Sequence, residues 1–152
     1  MGYLRIQYHH RSKSAKPSYD GLDKDIELLC SSYKDAGFKA AGDLGLGLID
    51  KWKLSVGSQF VPAELYLFLG RFCSKEGKKD IALAVYDQGL AVNPKSRGLL
   101  MAKADELLRS GKFTTATDLY RQAHEIKPSM VTAERYASCL LAQGENEKAL
   151  RV

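Results

Sequence analysis

Residues Ala63–Ser96, AELYLFLGRFCSKEGKKDIALAVYDQGLAVNPKS, run directly into Arg97–Ser129, RGLLMAKADELLRSGKFTTATDLYRQAHEIKPS, and the two stretches read as copies of one unit. Pro94 and Pro128 stand 34 residues apart near their ends. In that phase Gly77 meets Gly111, Ala82 meets Ala116, Tyr86 meets Tyr120 and Gly89 meets Ala123. A period of this size marks an array in which each unit buries its apolar face on a neighbour. Within each unit, apolar residues recur at helical spacing on both sides of the glycine, as two amphipathic helices require. Gly77 and Gly111 fall where the first helix must stop, because glycine enters the left-handed backbone region without a Cβ penalty. Pro94 and Pro128 close the second helix, whose interior tolerates no proline.

These positions resemble the tetratricopeptide repeat, a pair of antiparallel helices with large, small and aromatic residues at set places and a terminal proline. In the first block they hold Tyr66, Leu69, Gly70, Cys73, Ala82, Tyr86, Gly89 and Pro94. Leu100, Lys103, Ala104, Leu107, Ala116, Tyr120, Ala123 and Pro128 hold them in the second, where Lys103 departs from an apolar position. Gly70 or Ala104 is expected to face Ala82 or Ala116, so that the helix backbones approach closely. The resemblance implies an all-α fold, an α-solenoid of helix pairs wound into a right-handed superhelix.

The register extends in both directions. From Met130 onward, Ala133, Tyr136, Ala137, Leu140, Gly144 and Ala149 continue the pattern as a partial repeat, residues 130–152. Upstream, Ile26, Leu29, Cys30, Tyr33, Gly37, Gly42, Leu46 and Ile49 mark a degenerate repeat over residues 23–62, followed by an unusually long link from Ser55 to Pro62. Gly42 and Gly45 are read as close-packing residues; the run Gly42 to Gly47 has the order GxxGxG, without the ending of a phosphate-binding loop. Residues 1–18 are read as a basic leader containing Arg5, Arg11, Lys13 and Lys16, ahead of a repeat domain over residues 19–152. The chain stops inside the last expected helix pair, which suggests a fragment of a longer protein or an apolar edge around Ala137, Leu140, Leu141 and Ala149 that pairs with a second copy.

Composition agrees with a helical domain: 45% of residues are hydrophobic, only four are proline, and the net charge of +5 resides mainly in the leader. A terminal basic excess is not the stripe expected of a nucleic-acid interface, so RNA binding through a related helical repeat is the weakest reading. No apolar run approaches the roughly 18 residues needed to span a bilayer, and the start has no signal core, so a cytoplasmic location is expected. Cys30, Cys73 and Cys139 lack metal-ligand spacing and are expected to be buried thiols. Adjacent His9 and His10 point apart on a helix, and His124 has no nucleophile motif beside it, so neither metal, cofactor nor enzyme activity is expected.

The resemblance implies a concave groove lined by first helices, where a protein or peptide partner binds. Carried over by position, its residues are Lys24, Glu27, Ser31 and Lys34, then Glu64, Leu67, Arg71 and Lys75, then Met101, Asp105, Leu108 and Arg109, then Glu134 and Ser138. The family's clamp for the C-terminal carboxylate of heat-shock chaperones does not carry over: Leu67, Arg71 and Ala102 replace its Lys and two Asn residues, and Val131 stands at one of two basic positions, although Arg135 keeps the other. The implied function is that of an interaction scaffold or adaptor. The alternative is a docking or regulatory region of a larger multidomain enzyme, such as a glycosyltransferase, continuing past Val152.

Overall fold

A computed structural model describes residues 18–152. Arg5, Arg11, Lys13, Lys16, His9 and His10 lie outside the described residues. The chain is all-α, with seven α-helices among the described residues: α1 Leu22–Val56, α2 Ala63–Lys75, α3 Lys79–Val92, α4 Arg97–Arg109, α5 Phe113–Ile126, α6 Met130–Ala142 and α7 Asn146–Ala149. Helix α2 packs on α3 and α4 on α5, while contacts from α1 to α2, α3 to α4 and α5 to α6 join the pairs into an α-solenoid. The long link contains one 3-10 turn, Ser58–Phe60. Among the described residues, no helix is long and apolar enough to cross a membrane.

One turn recurs three times and sets the geometry. Gly77, Gly111 and Gly144 have φ of 73°, 74° and 77°. In the first of these turns Lys78 N–H donates to the Cys73 carbonyl at 2.9 Å and Gly77 N–H to the Ser74 carbonyl at 3.0 Å. Lys112 with Leu107 and Glu145 with Leu140 repeat the longer bond at 2.9 Å each. This six-to-one closure satisfies the last carbonyls of the first helix and reverses the chain. Ser96 caps α4, and Ser129 with Thr132 forms a capping box on α6.

Gly70, Ala82, Ala104 and Ala116, the small residues expected between the paired helices, are all buried. A Cβ built on Gly70 would lie 2.2 Å from Tyr86 Cε1, so that ring seats directly on the α2 backbone. Ala82, Ala116 and Tyr120 are fully buried. Two clusters form the interior, one shared by α1, α2 and α3 with Leu99 and Ala102 of α4, and the other by α4, α5 and α6.

Helix α1 is broken at Gly37 (φ 81°, ψ −174°) into arms 22–36 and 38–56. Asp25, on the first arm, accepts hydrogen bonds from Lys51 Nζ at 2.7 Å and Trp52 Nε1 at 2.9 Å, tying the arms together. The turn at Gly37 is shorter than the one at Gly77: the next fully buried alanine comes four residues after Gly37 but five after Gly77. Ala41 therefore takes the place of Ala82, and Gly42 faces open space rather than a neighbouring helix backbone. A Cβ on Gly42 would touch nothing, whereas one on Gly45 would lie 3.0 Å from Leu69 Cδ1, so the close-packing role belongs to Gly45 alone. Leu140 is likewise buried rather than exposed at an edge; Leu141 and Leu150 are the exposed leucines there.

Candidate functional site

The first helices bring some of the expected groove residues together and separate others. Arg71 and Lys75 on α2, with Asp105 and Arg109 on α4, line one open cavity of about 500 Å³. Ser74 and Ala102 complete its walls, and Tyr86 reaches it from α3. Glu64 lies at the other end of α2, beside a separate cavity lined by Tyr19, Leu22 and the loop before α4. Leu67, Met101 and Leu108 are half-buried against the two apolar clusters and act partly as core. Glu134 and Ser138 are exposed on α6 and do not line the central cavity; Lys24, Glu27, Ser31 and Lys34 are exposed on the first arm of α1.

The charges in this cavity are unequally committed. Arg109 Nη2 donates to Glu106 Oε2 at 2.5 Å and to Ser74 Oγ at 3.0 Å, and Ser74 Oγ donates to the same carboxylate at 2.5 Å. The Glu106 side chain is only 1% exposed. Burial alone would push its pKa up, but the hydrogen bonds from Ser74 and Arg109 and the charges of Arg109 and Lys79 outweigh that and hold it below the usual carboxylate range. Asp105 accepts from the Tyr120 hydroxyl and lies 3.8 Å from Arg135 Nη1, which links α4 to α5 and α6. Among the described residues neither Arg71 nor Lys75 has a carboxylate partner. Lys75 Nζ instead sits 5.5 Å from the centre of the Tyr33 ring, a cation–π distance. That ring stacks on Phe72 with centroids 4.2 Å apart, and its hydroxyl donates to Glu76 at 2.8 Å.

Burial pushes the Tyr86 phenol up to about 12, and burial with the Asp105 bond also raises Tyr120, so both stay neutral donors through the physiological range. Cys73 and Cys139 are buried with raised pKa values, which keeps them as thiols. Cys30 is only half-buried, because its arm of α1 lies at the edge of the first cluster. His124 Nδ1 lies 3.0 Å from Thr132 Oγ1, a link from α5 to α6. Among the described residues, no three His, Cys, Asp or Glu side chains group closely enough to hold a metal.

Glu106, Ser74, Tyr33 and Phe72 escaped the sequence reading as groove residues. Ser74 and Glu106 lie 32 positions apart on different helices, so no local spacing pairs them. The one available signal was Arg109, a cation one turn beyond Glu106 on the same helix.

Comparison with known proteins agrees with this architecture. Residues 63–96 match the tetratricopeptide repeat family model. The search of curated proteins found no match. Among solved structures, a putative kinesin light chain of Podosopora anserina with nearly identical tetratricopeptide-like repeats has a TM-score of 0.68 at 16% identity, covering 86% of this chain and 70% of that one. The Yersinia enterocolitica type III secretion translocator chaperone SycD has a TM-score of 0.65 at 19% identity, covering 87% and 90% of the two chains. The same chaperone in complex with a peptide of the translocator YopD has a TM-score of 0.63 at 17% identity, covering 83% and 97%. The shared property is the fold, a tetratricopeptide-like helical repeat.

Proposed function

We propose that this chain, with its tetratricopeptide repeat at residues 63–96, is a non-catalytic scaffold that holds an extended peptide segment of a partner protein along its first helices. In this reading residues 23–62, 63–96, 97–129 and 130–152 are successive repeat units. The observation that carries it is the open cavity in which Arg71 and Lys75 stand without carboxylate partners beside the neutral Tyr86 hydroxyl, opposite the engaged Asp105. Unpaired cations in a groove recognise acidic or terminal carboxylates of a peptide, and a preformed wall limits the ordering cost. The chaperone SycD, of the same fold, has been solved with a translocator peptide, which supports a peptide as the class of ligand.

The test uses Arg71→Glu with Lys75→Glu, which leaves the Glu106, Ser74 and Arg109 cluster intact. Partner recovery by pull-down from the source cell should fall about tenfold, as expected when charge-assisted contacts are replaced by repulsion. Unchanged recovery, with circular dichroism showing a folded variant, would overturn groove binding.

A further inference from the structure

A second cavity, of about 350 Å³, opens on the opposite side of α2, between the 38–56 arm of α1 and α3. Leu69 and Cys73 of α2 form its floor. Leu46 and Ile81, on its two walls, are 55% and 50% exposed. The place matching it one repeat on is filled. Aligned through Ala41 and Ala82 on one side and through Gly70 and Ala104 on the other, Gly42 corresponds to Leu83, Cys73 to Leu107, Val85 to Leu119 and Leu46 to Asp87. Leu83 packs against the cluster that contains Leu107 and Leu119. Asp87 is ion-paired with Lys103, which corresponds to Leu69. Each filling residue is larger than its counterpart in the first crevice, and the polar bridge is replaced there by two leucines.

We propose that the crevice between the second arm of α1 and α3 docks an amphipathic segment of a partner protein, which inserts a large aliphatic or aromatic side chain over Gly42. A contiguous apolar hollow with a charged rim marks an interaction surface rather than ordinary exposed leucine. The rim identifies the occupant's flanks: Lys39 and Lys78 stand against the single carboxylate Asp43, so acidic residues beside the apolar anchor complement it. Lys78 Nζ lies 4.2 Å from the Phe38 ring centre, which places its charge directly over the apolar wall. This surface is independent of the cavity containing Arg71 and Lys75.

The discriminating variant is Gly42→Leu, which supplies the side chain that Leu83 supplies in the next repeat. A Cβ at Gly42 meets nothing within 4 Å, so the new side chain starts in open space beside the crevice that Gly42 lines. The probe is a fluorescein-labelled helical peptide with Leu and Phe along one face and Glu on both flanks, titrated against the full chain by fluorescence anisotropy. Gly42→Leu should weaken binding about tenfold or more while the variant melts no lower than wild type. Lys39→Glu, and a probe with Lys in place of Glu, should each weaken it similarly, whereas Arg71→Glu should leave it unchanged. Absence of binding, equal binding to Gly42→Leu, or equal binding of the Lys-flanked probe would overturn the proposal. So would a wild-type dimer, seen by light scattering, that Gly42→Leu converts to monomer, because the occupant would then be a second copy. Loss of probe binding in Arg71→Glu alone would also overturn it, by locating the probe in the other cavity.

Discussion

The crevice beside Gly42 and the matching place beside Leu83 arise from equivalent positions in neighbouring repeats, yet one is open and apolar and the other is filled and bridged by Lys103 and Asp87. The first helices show a similar divergence. Phe72 stacks on Tyr33 where, one repeat later, Glu106 is held by Ser74 and Arg109. Repetition keeps small residues where the helices approach, Gly70 and Ala104 on the first helices and Ala82 and Ala116 on the second, because a bulky side chain there would wedge the helices apart. It leaves the places between repeats free to diverge, and specificity can reside there.

The largest test of this equivalence is Tyr86→Ala against Tyr120→Ala. Both rings are essentially fully buried, and each deletion should cost about 3–5 kcal/mol in urea denaturation, the range for removing a large buried ring. A mild effect in only one would show that the repeats are not mechanically equivalent. Glu106→Gln should cost about 1–3 kcal/mol, since it weakens a buried charge-assisted cluster that has no counterpart at Phe72. Its pH dependence has a definite sign. A carboxylate whose pKa is lowered by folding stabilises the fold above its unfolded pKa, near 4.3, and that stability is lost as pH falls through the lower folded value. Wild type should therefore lose more stability than Glu106→Gln between pH 5 and pH 3 by urea melts.

Gly42→Ala makes the first crevice more like the second and should stabilise the fold by about 0.5–1 kcal/mol in thermal melts, the usual gain from replacing an unconstrained helical glycine. Destabilisation would mean that the arm is not helical around Gly42 in solution. The smallest effect belongs to Asp87→Ala. An ion pair whose carboxylate is mostly exposed contributes about 0.2–1 kcal/mol, so its removal should lower stability by no more than that, and less in high salt. A larger loss would mean that the bridge, rather than Leu83, closes the second crevice.

Legibility differed between the fold and the site. The turns at Gly77 and Gly111 and the seats of Tyr86 and Tyr120 were readable, because a helix end and a helix face are each encoded within a few residues. Lys103 was readable as an exception but not as a bridge, since its partner Asp87 lies on another helix. Arg71, Lys75, Asp105 and Arg109 were readable as groove positions, but which cations remained available was not. Gly42 was assigned to the wrong face, because a turn shorter by one residue rotates the following helix by about 100°, a consequence of 3.6 residues per turn.

The sequence by itself determined the repeat period, the helix pairs and the small residues on which they close, because all of these follow from spacing along one chain. Only the tertiary structure decided that Arg109 is consumed by Glu106 while Arg71 is free, and that one crevice stays open while its equivalent is filled. Those outcomes depend on the distance and rotation between separate helices, which are set by how whole helix faces pack rather than by the spacing of residues within either one.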